Sequence, residues 1–178
     1  MAVTLEEISE WLEQQEYNFG LEEDKIVLIT SGEDSQSLHR IRAKDDGRIF
    51  EWNMVIVDET TALKVKEHKH LQTLLVYLLQ MNYTTKFGTW EYDPTDGEIA
   101  FNIEIPLEDA VMTFKQFERI CSMTMNTETQ TNNIKKILET GEMPKDDEDE
   151  RLAILEELLA KLMTQAAEEE TAADEEGI

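Results

Sequence analysis

KFGTWEYDPTDGEIAFNIEIPLED, residues 86–109, decides the fold of this chain. Ile99, Phe101, Ile103 and Ile105 alternate with Glu98, Ala100, Asn102 and Glu104, the period of two expected of a strand with one buried and one wetted face. Pro94 presets φ for an early turn position and Gly97 accepts positive φ, so residues 93–98 close a hairpin back onto the strand around Trp90. No nucleophile, base or phosphate loop is planted in the stretch, so it specifies architecture rather than chemistry.

Upstream, residues 65–82 carry Leu71, Leu74, Leu75, Leu78 and Met81 at helical spacing and predict a helix that covers the sheet. Residues 48–57 read as a strand with Phe50, Trp52, Met54 and Ile56 on one side. Its other side, with Ile49, Val55 and Val57, is half apolar, which predicts a central position. Asp46-Gly47 turns it back onto residues 37–44, with Arg40, Arg42 and Lys44 on one face and His39, Ile41 and Ala43 on the other; KIVLIT, residues 25–30, is a further short strand. Thr4 and Glu7 form a capping box for a first helix, flanked by Val3 and Ile8 at staple positions, with Leu5, Ile8, Trp11 and Leu12 on its buried stripe.

Downstream, Thr113 and Gln116 repeat the capping box, with Met112 and Phe117 as staple. One helix is expected from there through Leu138, bending in its polar middle at residues 123–133 and ending at Gly141 and Pro144. Beyond it the chain changes character: from Glu142 onward fourteen acidic residues face only Lys145, Arg151 and Lys161. The division expected is a domain at 1–141, an acidic linker at 142–150, an amphipathic helix at 151–167 with Leu155, Leu159 and Leu162 on its seam, and a disordered acidic tail at 168–178.

A length of 178 residues with 40% hydrophobic composition suits one domain with an appendage. The formal net charge of −24 argues against nucleic acid and anionic membranes as partners, because affinity for phosphate backbones comes from cationic side chains. The single Cys121 excludes an internal disulfide, and neither a cleavable apolar leader nor a membrane-length apolar run is present, so a cytoplasmic protein is expected.

Seven glycines form no phosphate loop, dinucleotide fingerprint or nucleophile elbow. Residues 93–98 lack the alternating carboxylates of a calcium loop and read as a hairpin turn. His68 and His70 stand two apart at a helix start and should point to different faces, solvated rather than metal-bound. His39 reads as a packed strand residue and Cys121 as a buried inert thiol. No cofactor, metal or catalytic residue is expected. Arg40, Arg42 and Lys44 form the one local basic patch, and Arg40 and Arg42 with Met123, Met125, Leu155, Leu159 and Leu162 are the candidates for partner binding.

Residues 74–138 resemble the YbjN family of bacterial sensory transduction regulators, whose fold is that of type III secretion chaperones. The likeness is carried by FGTWEYDPTDGEIAFNIEIPLEDAVMTFKQFERI, in which Gly88, Trp90, Asp93, Pro94, Asp96, Gly97, Glu98 and the corner Pro106-Leu107-Glu108-Asp109 match the family's hairpin and corner in place. The resemblance implies an α+β domain, a twisted antiparallel sheet of about five strands with helices packed on it, and a dimer that binds extended protein segments; a C-terminal amphipathic helix lies outside it. The function expected is a non-catalytic protein-binding module, chaperone-like or regulatory. The alternatives are an acidic polyanion mimic that occupies a basic protein, or an enzyme assembled from residues distant in sequence. A homodimer is expected through the third helix, where Met112, Phe114, Phe117, Met123 and Met125 spread apolar bulk, and through undefended strand edges.

Overall fold

The computed structural model describes residues 3–31, 36–58 and 61–144. The chain divides into two compact units after Glu142, and apart from Met143 and Pro144 the described residues belong to the first. The expected helix at 151–167, with Leu155, Leu159 and Leu162, and the tail at 168–178 lie outside the described residues, as do residues 145–150 of the expected linker.

In chain order the elements are α1 (Leu5–Gln14), β1 (Gly20–Leu21), β2 (Ile26–Ser31), β3 (Gln36–Lys44), β4 (Ile49–Asp58), β5 (Thr61–Ala62), α2 (Leu71–Thr84), β6 (Thr89–Tyr92), β7 (Ile99–Pro106), α3 (Phe114–Met125) and α4 (Glu128–Thr140). The strands form one antiparallel sheet in the order β1-β2-β3-β4-β7-β6, with β5 paired to β4. Five strands have four residues or more, as expected; β1 and β5 are two-residue additions too short to carry a periodic signal.

β4 is central, with one face wholly apolar and the other half so, where Val55 and Val57 are buried beside Glu51 and Asn53. Phe50, Trp52, Met54 and Ile56 face a core shared with Ile41 of β3 and with Ile99, Phe101 and Ile103 of β7. All four helices feed that same core, through Ile8 and Leu12, Leu74 and Leu78, Phe117 and Ile120, and Ile134 and Ile137. Both capping boxes form: Thr4 accepts from the Glu7 N–H at 3.1 Å and Thr113 from that of Gln116 at 3.3 Å. Val3 and Met112, the residues just before them, are buried as staples require.

Two helix expectations need correction. α2 begins at Leu71, not at 65, because the preceding segment is held strand-like against the hairpin turn: Lys64 bridges Glu98, and the Val65 N–H donates to the Gly97 carbonyl at 3.0 Å. The expected third helix is two, broken at Asn126 and Thr127. There the hydroxyls of Thr124, Thr127 and Thr131 donate to the carbonyls of Ile120, Thr124 and Thr127, and the Asn126 amide donates to the Ser122 carbonyl at 2.7 Å. Such local bonds offer the backbone an alternative to helix continuation, and the run of Thr and Asn lets them win.

Candidate functional site

The candidates on β3 fall on the sheet face opposite the helices. Across β3, β4 and β7 the register places Arg40 beside Asn53, which faces Asn102, and Arg42 beside Glu51, which faces Glu104. Glu51 is buried, yet its carboxyl lies below the usual range: burial pushes it up, but hydrogen bonds from Lys44 and Arg42 outweigh burial. Arg42 reaches it at 3.0 Å, and Lys44 pairs with it as well. The basic patch is thus largely neutralised from within. Arg40 alone of the three has no ion-pair partner among the described residues. Beside it Ile29 is 64% exposed and Leu38, its register partner, is half-buried.

Met112 and Phe117 are buried in the chain's own core, Phe114 and Trp11 bring their rings to 6.3 Å, and Met125 packs against the core. Met123 lines a small cleft of about 230 Å³ with Met81, Phe87, Trp90 and Phe101. The apolar bulk assigned to a partner is therefore mostly spent internally. Trp90 is 5% exposed, with its ring 5.3 Å from Phe101. Gly88 stands at φ +82 where a Cβ would meet the Phe101 ring at 2.4 Å, which accounts for the Gly-x-Trp spacing.

The surface that sequence reading missed is the outer side of α2. Leu74, Tyr77, Leu78 and Met81 face the core, while Val76, Leu79 and Tyr83, spaced 3 and 4 apart, are 52, 69 and 92% exposed. No residue of Leu71–Thr84 carries a charge, in a chain that is 31% charged. The signal was available: Val76, Leu79 and Tyr83 repeat at helical spacing beside the buried stripe. α2 also guards the sheet. The edge strand is β6, not β7, which lies between β4 and β6. At that edge the Trp90 N–H donates to Asn82 Oδ1 at 2.7 Å, and Asn82 Nδ2 donates to the Trp90 carbonyl at 2.9 Å, so one amide side chain stands in for a neighbouring strand.

His39 is fully buried. The Trp52 indole donates to its Nδ1 at 3.1 Å, so Nε2 carries the proton toward Thr30 Oγ1 at 2.8 Å, and burial lowers its pKa to about 4. It is a neutral core residue. Cys121 is buried too, and burial pushes its thiol up to about 11, far from a nucleophile's range. His68 and His70 do not diverge: they precede α2, their rings lie 5.7 Å apart, and the His70 N–H donates to His68 Nδ1 at 3.2 Å. Among the described residues no group of three or more His, Cys, Asp or Glu could hold a metal ion, and no helix is long and apolar enough to cross a membrane.

Neither a family model nor a curated protein matches the sequence. Among solved structures the chain is similar to the crystal structure of YbjN from E. coli, a candidate transcription regulator, with a TM-score of 0.54 and 11% identity over 77% of this chain and 93% of that one. The α+β architecture expected from residues 86–109 is therefore that of YbjN.

Proposed function

We propose that this chain is a non-catalytic protein-binding module, regulatory or chaperone-like, that self-associates through the outer side of α2. The observation that carries this reading is the exposed stripe Val76, Leu79 and Tyr83 on a helix without charge. A net charge of −24 opposes contact between copies wherever acidic surfaces meet, and α2 is where that opposition is weakest. With a Debye length of about 8 Å at physiological salt, carboxylates far from the contact are screened. A two-fold contact would take the stripe of both copies out of water, at roughly 1.5–3 kcal/mol for each aliphatic side chain fully covered. Association itself costs about 4–15 kcal/mol, so a reversible dimer results rather than an obligate one. The sheet face around Arg40, Ile29 and Leu38 is left for a partner segment.

Sedimentation equilibrium across micromolar concentrations tests it. The wild type is expected to move from monomer toward dimer mass, and Leu79→Glu, which puts a carboxylate at the centre of the stripe, to stay monomeric. A wild type at monomer mass throughout overturns the self-association.

A further inference from the structure

A cleft of about 1120 Å³ lies between the segment before α2 and the side of α4. It is lined by Leu63, Lys64, Val65, His68 and Lys69 on one wall and by Asn132, Lys135, Lys136, Leu138 and Glu139 on the other. The chain has 16 lysines and arginines against 40 acidic residues, and a quarter of those cations line this one cleft with a single glutamate among them. In a molecule of charge −24 that is a local concentration of cations, with Lys64 offset by Asp96.

The walls are fixed by the fold. Val65 is pinned to the hairpin turn by its bond to Gly97, and Lys66 Nζ donates to the Thr95 carbonyl at 2.8 Å. α4 ends at Gly141, at φ +78, where a Cβ would meet the His70 ring at 2.5 Å; the close approach ties the end of α4 to the start of α2. Lys64 is engaged by Asp96. Lys69 and Lys136 are exposed and have no ion-pair partner among the described residues, while Leu63, Val65 and Leu138 give the cleft an apolar floor.

We propose that this cleft binds a short acidic peptide segment of a partner protein, its carboxylates meeting Lys69 and Lys136 and an apolar side chain covering Leu63, Val65 and Leu138. Peptide is favoured over nucleic acid because a long polyanion would meet the acidic surface beyond the cleft, whereas a short segment need not, and because bases offer no branched apolar group to that floor.

The test is fluorescence anisotropy of the full chain with a fluorescein-labelled dodecapeptide of glutamates and three leucines, at about 50 mM salt, a few-fold below physiological ionic strength, where the Debye length is correspondingly longer. Saturable binding is expected, weakened about tenfold or more by Lys69→Glu with Lys136→Glu. The control pair Lys86→Glu with Lys115→Glu changes net charge equally on exposed residues outside the cleft and is expected to weaken it only about twofold, by long-range screening alone. Equal losses from the two pairs overturn the proposal, as does equal binding of an all-glutamate peptide. A labelled oligothymidylate that binds as tightly as the peptide would overturn it in favour of a general polyanion site.

Discussion

α2 and α3 lie against the same sheet face but relate to it differently. α3 buries Phe117, Ile120, Cys121 and Thr124 and turns Lys115, Glu118, Arg119 and Ser122 to water. α2 buries one apolar stripe and exposes another. The fold leaves no apolar residue of α3 exposed, whereas on α2 six apolar residues pack on the core and three, Val76, Leu79 and Tyr83, stand exposed. A helix whose composition exceeds what its own core needs marks where a second polypeptide would gain, and substitutions on the two helices test the difference.

The largest effect belongs to α3. Phe117 is fully buried, with ring centroids 5.2 Å from Trp11, 5.8 Å from Trp52 and 6.3 Å from Phe50. Phe117→Ala is expected to cost about 3–5 kcal/mol in urea unfolding, through lost transfer energy and the cavity left behind. A cost below about 1 kcal/mol would remove α3 from the core and end the contrast.

Behind Phe117 the core contains a titratable group. His39 has a folded pKa of about 4 against an ordinary 6.5, so its stabilising contribution is complete above pH 6.5 and is lost as pH falls toward 4. The unfolded chain takes up the proton first, which lowers stability by about 2 kcal/mol at pH 5 relative to pH 7. His39→Gln cannot titrate, and its unfolding free energy should lack that component of the slope whatever its absolute stability. Parallel pH profiles for the two proteins would show that the imidazole is reached by water.

Much of this was legible in sequence because it is local. Thr4 with Glu7, Thr113 with Gln116, and the turn at residues 93–98 each specify their geometry within six residues, and β4 declares its central place by one apolar face and a second that is half apolar. What escaped depends on pairing across distance. That β7 sits between β4 and β6 follows from a crossover through α2, so residues 99–105 looked like an edge in need of defence. Asn82 guards β6 from eight positions away, in a helix where an asparagine is otherwise unremarkable. The cationic cleft joins residues near 65 to residues near 136, and neither cluster looks unusual alone. The break at Asn126 and Thr127 was signalled by composition but not located, because several Thr and Asn side chains compete for neighbouring carbonyls. The second stripe of α2 is readable as Val76, Leu79 and Tyr83 at helical spacing, but the expected set Leu71, Leu74, Leu75, Leu78 and Met81 contains only residues that do pack on the core.

Asn82 provides a smaller, sharper test, since it lies on α2 yet serves the sheet. Asn82→Ala leaves the Trp90 N–H and carbonyl without their partner at the edge of β6. With a net hydrogen bond at about 0.5–1.5 kcal/mol, a loss of about 1–3 kcal/mol is expected. Amide exchange at Trp90 should speed up by at least the matching factor, while the amides of β3, deeper in the sheet, change only by the global loss. If Trp90 exchange is unaltered, something other than Asn82 guards the edge.

The smallest effect is the most diagnostic for α2. Leu79 is 69% exposed, so its replacement removes little buried area, and Leu and Glu differ by only a few tenths of a kcal/mol in helix propensity. Leu79→Glu should therefore change the stability of dilute monomer by no more than about 0.5 kcal/mol. At higher concentration the proteins should separate: the wild type gains melting temperature with concentration because the dimer forms only from folded chains, and the variant does not. Two melting series over a hundredfold concentration range read both quantities at once. A loss above about 1.5 kcal/mol in the dilute variant would mean that Leu79 is packed within its own chain. In that case α2 would resemble α3, and its outer stripe would belong to the core rather than to a partner.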